Sequence, residues 1–444
     1  MSIPHVLVIP CSAQGHVIPF MAVSKCLIEH GVRVTFVNTD FIHRRVIDAL
    51  ADKDFLGDRI HLVSIPDGLG PGDDRNNFGI LLEANFQVMP AKLEDLIRDI
   101  EEKEGPKITC LVADGNMGWA LQVARKMNIP RAVFWPASAA LWHWELAFQR
   151  IPIQHQMFQL ALGMPTMNTA HLAWACVGDL AAQKTVFSLV VRNNKFLEVA
   201  DWLICNSSPN FESAVLNFAP RILPVGPLLS SHWLESSAGY FWPEDSNCLK
   251  WLDQQPHKSV IYVAFGSFTV FYQIQFRELA LGLELCNKPF LRVVRPDTTE
   301  EKDDAYPKGF KERISGRGKL VGWAPQQKVL AHASIACFVS HCGWNSTMEG
   351  ASNGIPFLCW PYFTDQFLNE TYISDMWRVG LRFKRDESGI IRRSEFKCKV
   401  DQLLDDVSFK IRSSDIKEKL AKVVDEGGES HKNFSDFIQW MKAL

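Results

Sequence analysis

No Cys-x-x-Cys pair occurs among the 11 cysteines, and their number is odd. A disulfide framework is therefore not the organising principle, and the thiols read as reduced and buried. Neither sign of charge predominates: 47 Lys and Arg stand against 50 Asp and Glu, a net −3. That leaves no electrostatic footprint for nucleic acid and no polybasic membrane signal. No apolar run approaches the roughly 20 residues that a bilayer demands, and the longest, around 132 to 144, contains Pro136. The beginning, Met1-Ser2-Ile3-Pro4-His5, lacks the basic region of a secretory leader and runs directly into a strand-length apolar segment. These absences lead us to expect a cytoplasmic protein without a transmembrane segment. A Gly-x-Gly-x-x-Gly is missing too: the stretch from 10 to 19 holds one glycine, Gly15, which argues against a dinucleotide dehydrogenase. No metal-ligand cluster, internal repeat or low-complexity segment is visible.

What is present is ordinary globular material, 47% hydrophobic and 22% charged, in a chain of 444 residues that is too long for one core. The first forty residues read as strand (from His5), small polar loop (Cys11 to His16), helix (from Ile18), then alternating Val32, Val34, Phe36. Such a βαβ opening implies a parallel sheet. Further strands are expected at Ile60–Val63, Ile108–Val112, Arg131–Phe134 and Trp202–Cys205, with helices over Gln87–Glu101 and Gly118–Met127. From 222 to 251 the composition turns to Pro, Gly and Ser, the mark of a linker. A second βα series starts at Val260. It continues through Pro289–Val294, Lys319–Val321, Ile335–Val339 and Phe357–Cys359. The expected organisation is an N-terminal domain over 1–224, a linker over 225–250, a second domain over 251–428 and a terminal helix over 429–444. In that helix Phe434, Phe437, Ile438 and Met441 share one stripe.

The chemistry concentrates between Trp323 and Gln366, a 44-residue segment. His341-Cys342-Gly343-Trp344-Asn345-Ser346-Thr347 sits between a strand and a helix. A helix start offers unpaired N–H groups and the positive end of its dipole. Gly343 lets backbone approach, and His341, Asn345 and Ser346 add side-chain donors, so a diphosphate would be held there. Glu349, one turn on, suits the two hydroxyls of a ribose. Trp323, fixed by Ala324-Pro325-Gln326, suits stacking on a planar base. Asp365-Gln366 supplies acceptors and donors for sugar hydroxyls. Taken singly, each of these residues has an ordinary structural explanation: aromatic core, helix cap, first-turn acid.

As a combination, the segment resembles the C-terminal donor-binding box of plant secondary-product UDP-glycosyltransferases. Trp323-Ala324-Pro325-Gln326, His341-Cys342-Gly343-Trp344-Asn345-Ser346, Glu349, Gly354, Pro356, Trp360-Pro361, Asp365 and Gln366 all stand in place. The likeness extends to Gly15-His16, Val112-Ala113-Asp114 and Ala264-Phe265-Gly266-Ser267. It implies an α/β, GT-B architecture: two Rossmann-like parallel-sheet domains facing across a cleft, the terminal helix returning to the first. By the same resemblance, Trp323 stacks on uracil and the Ala324 backbone pairs with its edge. Gln326 and Glu349 hold the ribose, and Ser267, His341, Asn345 and Ser346 hold the diphosphate. Trp344, Asp365 and Gln366 contact the sugar, with Gln366 and Trp344 favouring glucose. The donor is then a substrate, UDP-glucose, and neither cofactor nor metal is expected.

The proposed catalytic pair lies in the first domain. His16 and Asp114 each follow a strand, and ligands of open α/β sheets bind beyond the carboxyl ends of strands. Histidine titrates near neutrality and suits removal of a hydroxyl proton, while a carboxylate on its far nitrogen fixes the tautomer. The acceptor is expected to be a small apolar plant metabolite, a phenolic such as a flavonoid or phenylpropanoid, converted to its β-O-glucoside by inversion. A terpenoid or hormone is the alternative acceptor, and a non-catalytic nucleotide-sugar binder the alternative function. Phe86, Trp135, Trp142, Phe196 and Phe363 are expected in the acceptor pocket, with Trp144, Phe148 and Phe187 as further first-domain aromatics. The protein is expected to be a monomer. Two departures from the family stand out. Arg292 occupies a strand position usually taken by Trp, where a buried arginine needs a partner. The segment from Arg150 to Pro165 is short and is expected to pass directly into a helix.

Overall fold

The computed structural model describes residues 3–49, 59–75, 77–103, 107–147, 156–176, 179–228, 241–299 and 306–444. The chain divides into two compact units, Met1–Phe241 with Lys422–Leu444, and Trp242–Ala421.

In the first unit the strands are β1 (His5–Ile9), β2 (Arg33–Thr39), β3 (Ile60–Ile65), β4 (Cys110–Asp114), β5 (Arg131–Trp135), β6 (Met157–Phe158), β7 (Met167–Asn168), β8 (Trp202–Cys205) and β9 (Ile222–Pro224). Seven of them form one sheet in the order β3-β2-β1-β4-β5-β8-β9, with every pair parallel. Helices on both faces leave β1 and β4 buried along their whole lengths. Their sequences are accordingly continuous apolar runs rather than alternating ones. Val8 pairs with Phe36 on one side and Val112 on the other. The order therefore reverses between β1 and β4, the switch point where such sheets bind ligands.

Several expectations change here. The helix expected from Ile18 begins at Gln14, which moves His16 from the loop into its first turn. The helix expected from Gln87 begins at Phe78 and runs to Glu102. Leu81, Asn85, Met89, Leu93 and Ile97 are all buried at a spacing of four. The polar Asn85 breaks the apolar pattern that sequence reading follows, and Asn77 caps the true start by accepting from the Ile80 N–H. The expected direct passage into a helix after 150 is also corrected. Residues 148–155 lie outside the described residues, and β6 and β7 form an antiparallel hairpin instead. Strand β4 ends on Asp114, two residues later than expected.

The terminal helix, Glu429–Ala443, belongs to the first unit. Phe434, Phe437, Ile438 and Met441 are buried, and Phe437 and Trp440 pack against Trp202 of β8. Ser430 Oγ donates to the Gly226 carbonyl at 2.7 Å, and Asn433 Nδ2 to that of Pro224 at 2.9 Å.

The second unit holds β10 (Val260–Ala264), β11 (Phe290–Val293), β12 (Gly318–Val321), β13 (Ile335–Ser340), β14 (Phe357–Cys359) and β15 (Gly380–Arg382). They form a parallel sheet in the order β12-β11-β10-β13-β14-β15. Its switch point falls between β10 and β13, which brings the loops from 265 and from 341 together at one edge. On β11, Arg292 is fully buried. Its guanidinium carbon lies 4.2 Å from the ring centroid of Phe276 and 5.8 Å from that of Tyr306. None of its three nitrogens has a hydrogen-bond partner among the described residues. Aromatic faces take the place of the counter-ion that sequence reasoning asks for.

Candidate active site

On the first unit, Asp114 closes β4 and His16 lies in the first turn of the helix Gln14–Glu29 that follows β1. The ring nitrogen Nδ1 of His16 is 2.7 Å from Asp114 Oδ2. The carboxylate is fully buried, and backbone N–H groups fix it: Asn116 donates to Oδ1 at 2.9 Å and Cys11 to Oδ2 at 3.3 Å. The imidazole keeps 24% of its surface exposed. A carboxylate held in this way selects the tautomer with hydrogen on Nδ1 and leaves Nε2 as the basic nitrogen.

Within the first unit, the described aromatic residues expected around an acceptor fall into separate clusters. Trp135 and Trp142 stack on each other at 5.4 Å and are buried. Trp135 Nε1 is committed to the Ser138 carbonyl at 2.9 Å, so this pair is core. Phe86 and Phe196 form a second, half-buried pair at 6.2 Å, with Arg192 over the Phe86 ring. Phe187 packs edge-on against Trp174, and Phe363 belongs to the second unit. Phe148 and the side chain of Trp144 lie outside the described residues.

On the second unit, β13 ends at Ser340 and the helix Trp344–Ser352 begins after Gly343. Between them Cys342 adopts a left-handed conformation, φ 65°, held by its N–H to Ser340 Oγ at 3.0 Å. Opposite lies the turn after β10, where Gly266 has φ 65°. A Cβ on Gly266 or on Gly343 would lie 2.5 Å from His341 Nε2. Both glycines are therefore required by the imidazole wedged between them. Burial, reinforced by the Arg295 guanidinium, pushes His341 down to about 4. Near pH 7 it is therefore an uncharged hydrogen-bonding group, and the positive potential at this loop comes from the helix start and from Arg295. Ser267 lies in the same turn as Gly266, and Asn345 and Ser346 in the first turn of the helix.

Glu349, one turn further, is 6% exposed. Gln326 Nε2 donates to its Oε2 at 2.7 Å and to Ser346 Oγ at 2.8 Å, and Gln327 Nε2 donates to Oε1 at 3.2 Å. The Tyr262 hydroxyl holds the Gln326 carbonyl at 3.1 Å. Burial outweighs these bonds and pushes the Glu349 carboxyl up to about 7. Ser346 uses its oxygen for Gln326 and so retains its hydrogen for a further acceptor. Trp323 is half-buried, and its carbonyl accepts from Asp245 N at 2.9 Å; Ala324 is buried.

Two assignments at the sugar end are refined. The Trp344 ring is buried against Tyr372 and Trp377. What it brings to the helix start is its main chain. Gln366 Oε1 accepts from the Tyr362 and Phe363 N–H groups at 2.7 and 3.0 Å. The side chain is thereby oriented with Nε2 as its donating end. Asp365, half-buried, accepts from Thr364 Oγ1 at 3.0 Å and Asn369 Nδ2 at 2.9 Å. Sequence reasoning missed Arg295, Gln327 and Asn369. Only Gln327, adjacent to Gln326, carried a sequence signal. Arg295, 4% exposed, braces the Gly266 turn through the Gly266 and Thr269 carbonyls. Among the described residues no three of His, Cys, Asp or Glu group as a metal site, and no helix is long and apolar enough to cross a membrane.

Comparison with known proteins places the chain in a family. Residues 243–416 match the family model for UDP-glucuronosyl and UDP-glucosyl transferases. UDP-glycosyltransferase 83A1 of Arabidopsis thaliana is 43% identical over 464 residues, covering 100% of this chain and 98% of that protein. Linamarin synthase 1 of Manihot esculenta is 33% identical, covering 98% and 96%. Among solved structures, Os79 from O. sativa in complex with UDP superposes with a TM-score of 0.81 at 26% identity, covering 98% of this chain and 100% of that one. With two parallel-sheet units, a helix-start cradle on one and a histidine–aspartate pair on the other, the chain belongs to the plant family 1 UDP-glycosyltransferases and is a transferase of the GT-B fold.

Proposed function

We propose that this enzyme transfers glucose from UDP-glucose to a hydroxyl of a small apolar phenolic and inverts the anomeric carbon. The observation that carries the reading is the His16–Asp114 pair, a partly exposed imidazole on a buried, doubly anchored carboxylate. In this mechanism Nε2 of His16 takes the acceptor's hydroxyl proton, and Asp114 stabilises the imidazolium. The acceptor oxygen bonds to the anomeric carbon from the face opposite the diphosphate, the bond to the diphosphate oxygen breaks, and UDP leaves with the bonding pair. An α-linked donor then gives a β-glucoside. The N-terminus of the helix Trp344–Ser352, with the hydroxyls of Ser267 and Ser346, stabilises the departing charge. Trp323 stacks on the base, and Gln326 and Glu349 take the ribose.

Two arguments support the substrates. A phenol ionises near pH 10, far more readily than an aliphatic alcohol, which matches a base of imidazole strength. At the sugar end Asp365 offers acceptors and Gln366 a donor, a complementary pair for neighbouring equatorial hydroxyls of glucose. The test supplies UDP-glucose with a panel of phenols and aliphatic terpenoid alcohols, and records UDP release and product mass. Hexosyl-bearing phenols support the reading. Turnover of aliphatic alcohols alone overturns the acceptor class, and UDP-glucose binding without transfer to any acceptor identifies a non-catalytic binder.

A further inference from the structure

We propose that Asn369, three residues beyond the 44-residue segment, is a positioning residue for donor recognition: it ties the sugar-binding carboxylate of Asp365 to the diphosphate loop at Cys342. The inference rests on the reading of Asp365 as a sugar contact. Asn369 lies in the helix Gln366–Thr371 and is fully buried. Its amide group spends both hydrogens on separate parts of the site. Nδ2 donates to the Cys342 carbonyl at 2.8 Å and to Asp365 Oδ2 at 2.9 Å. Its Oδ1 has no hydrogen-bond partner among the described residues although it is buried. The side chain is thus placed for its two donors, at the cost of an unsatisfied acceptor.

Each of the two groups it joins is held from its other side by an unusual backbone. Cys342 is left-handed at φ 65°, so its carbonyl is turned away from the β13 direction immediately before Gly343 starts the phosphate-binding helix. Thr364 is left-handed at φ 46° and bonds Asp365 Oδ1 at 3.0 Å. Non-glycine residues in this region are uncommon and persist where surrounding bonds over-determine them. With Thr364 on one oxygen and Asn369 on the other, the carboxylate plane of Asp365 is fixed. The carboxylate thereby keeps one distance and direction from the helix start. A glucosyl group whose phosphate end is anchored at that helix start then meets acceptors at a set position.

The bond pattern predicts a separation that a general loss of packing would not produce. Asn369→Ala releases both the Asp365 carboxylate and the Cys342 carbonyl, but the diphosphate loop keeps the bond from the Cys342 N–H to Ser340 Oγ and the helix start after Gly343, so the base, ribose and phosphate contacts are retained. UDP affinity should stay within about twofold, whereas UDP-glucose affinity should fall about tenfold, the scale of one hydrogen bond to a charged group. In Asp365→Ala the same Asn369→Ala change should have little further effect on UDP-glucose, because residues acting through one group are not additive. The experiment is calorimetric titration of the full chain with UDP and with UDP-glucose for wild type, the two single variants and the double variant. Should Asn369→Ala fail to fold, Asn369→Leu, of the same branched shape, removes both donors while filling the volume. Equal weakening of UDP and UDP-glucose would overturn the inference by showing a purely structural role. Unchanged binding of both, or full additivity with Asp365→Ala, would also overturn it. If Asp365→Ala itself leaves UDP-glucose affinity untouched, the underlying assignment of Asp365 to the sugar fails instead.

Discussion

Donor binding should weaken as the solution is acidified, and Glu349 should be the cause. This carboxyl is pushed from its ordinary 4.5 up to about 7 by burial, against the opposing bonds from Gln326 and Gln327. Ribose hydroxyls donate to a carboxylate better than to a carboxylic acid, so bound donor favours ionised Glu349 and binding releases a proton below pH 7. One pH step below the titration point leaves about one molecule in eleven ionised, which costs about 1.4 kcal/mol or tenfold in affinity. UDP-glucose affinity should therefore fall about tenfold from pH 8 to pH 6. UDP-glucose is the right probe because its diphosphate is a diester without a proton to lose in this window. His341 does not contribute, since its pKa of about 4 keeps it neutral throughout. The same shift acts on stability with the opposite partner: the folded protein holds this proton more tightly than the unfolded chain. Its stabilising contribution is present below about 4.5 and is lost as pH rises through about 7. The assay is calorimetric titration with UDP-glucose at several pH values, in wild type and Glu349→Gln. The variant should bind more weakly at pH 8 and show a flat profile. A flat wild-type profile, or an unchanged slope in the variant, would refute the reasoning.

Phe437→Ala should destabilise the protein by about 3–5 kcal/mol, because the ring is fully buried against Trp202; thermal melting checks this. Arg292→Leu should raise the melting temperature, since it replaces a buried cation without hydrogen-bond partners among the described residues by an apolar chain; a fall would show that the stack on Phe276 outweighs desolvation. Gln366→His should lower UDP-glucose kcat/KM and narrow its lead over UDP-galactose. An imidazole cannot accept from both the Tyr362 and Phe363 N–H groups, and competition between the two donors reads the shift.

Much of the fold was legible because parallel strands buried on both faces write continuous apolar runs, as β1, β4, β10 and β13 do. The stretch from His341 to Glu349 was legible because its logic is local: a strand end, a glycine, a helix start. Asp114 and His16 were legible through their positions after neighbouring strands. Features set by tertiary contact were not. Nothing in the local sequence tells that Trp135 and Trp142 stack in the core, or that the Trp344 ring turns inward. Gln366 reads as a two-ended amide until the Tyr362 and Phe363 N–H groups are seen to occupy its oxygen. Asn369 reads as an ordinary helix residue, because its bond to Cys342 spans 27 positions. The neutral state of His341 comes from its burial, reinforced by Arg295 from the loop after β11, and neither is written near His341 in the sequence.

The central claim is direct displacement at the anomeric carbon with His16 as base, and the configuration of the product tests it most directly. Wild-type enzyme, UDP-glucose and a phenolic acceptor should give the β-glucoside alone when the fresh product is read by proton magnetic resonance. His16→Ala should lose about 10²–10⁴-fold in turnover while binding UDP nearly as well. An α-glucoside, or wild-type turnover from His16→Ala, would contradict the account.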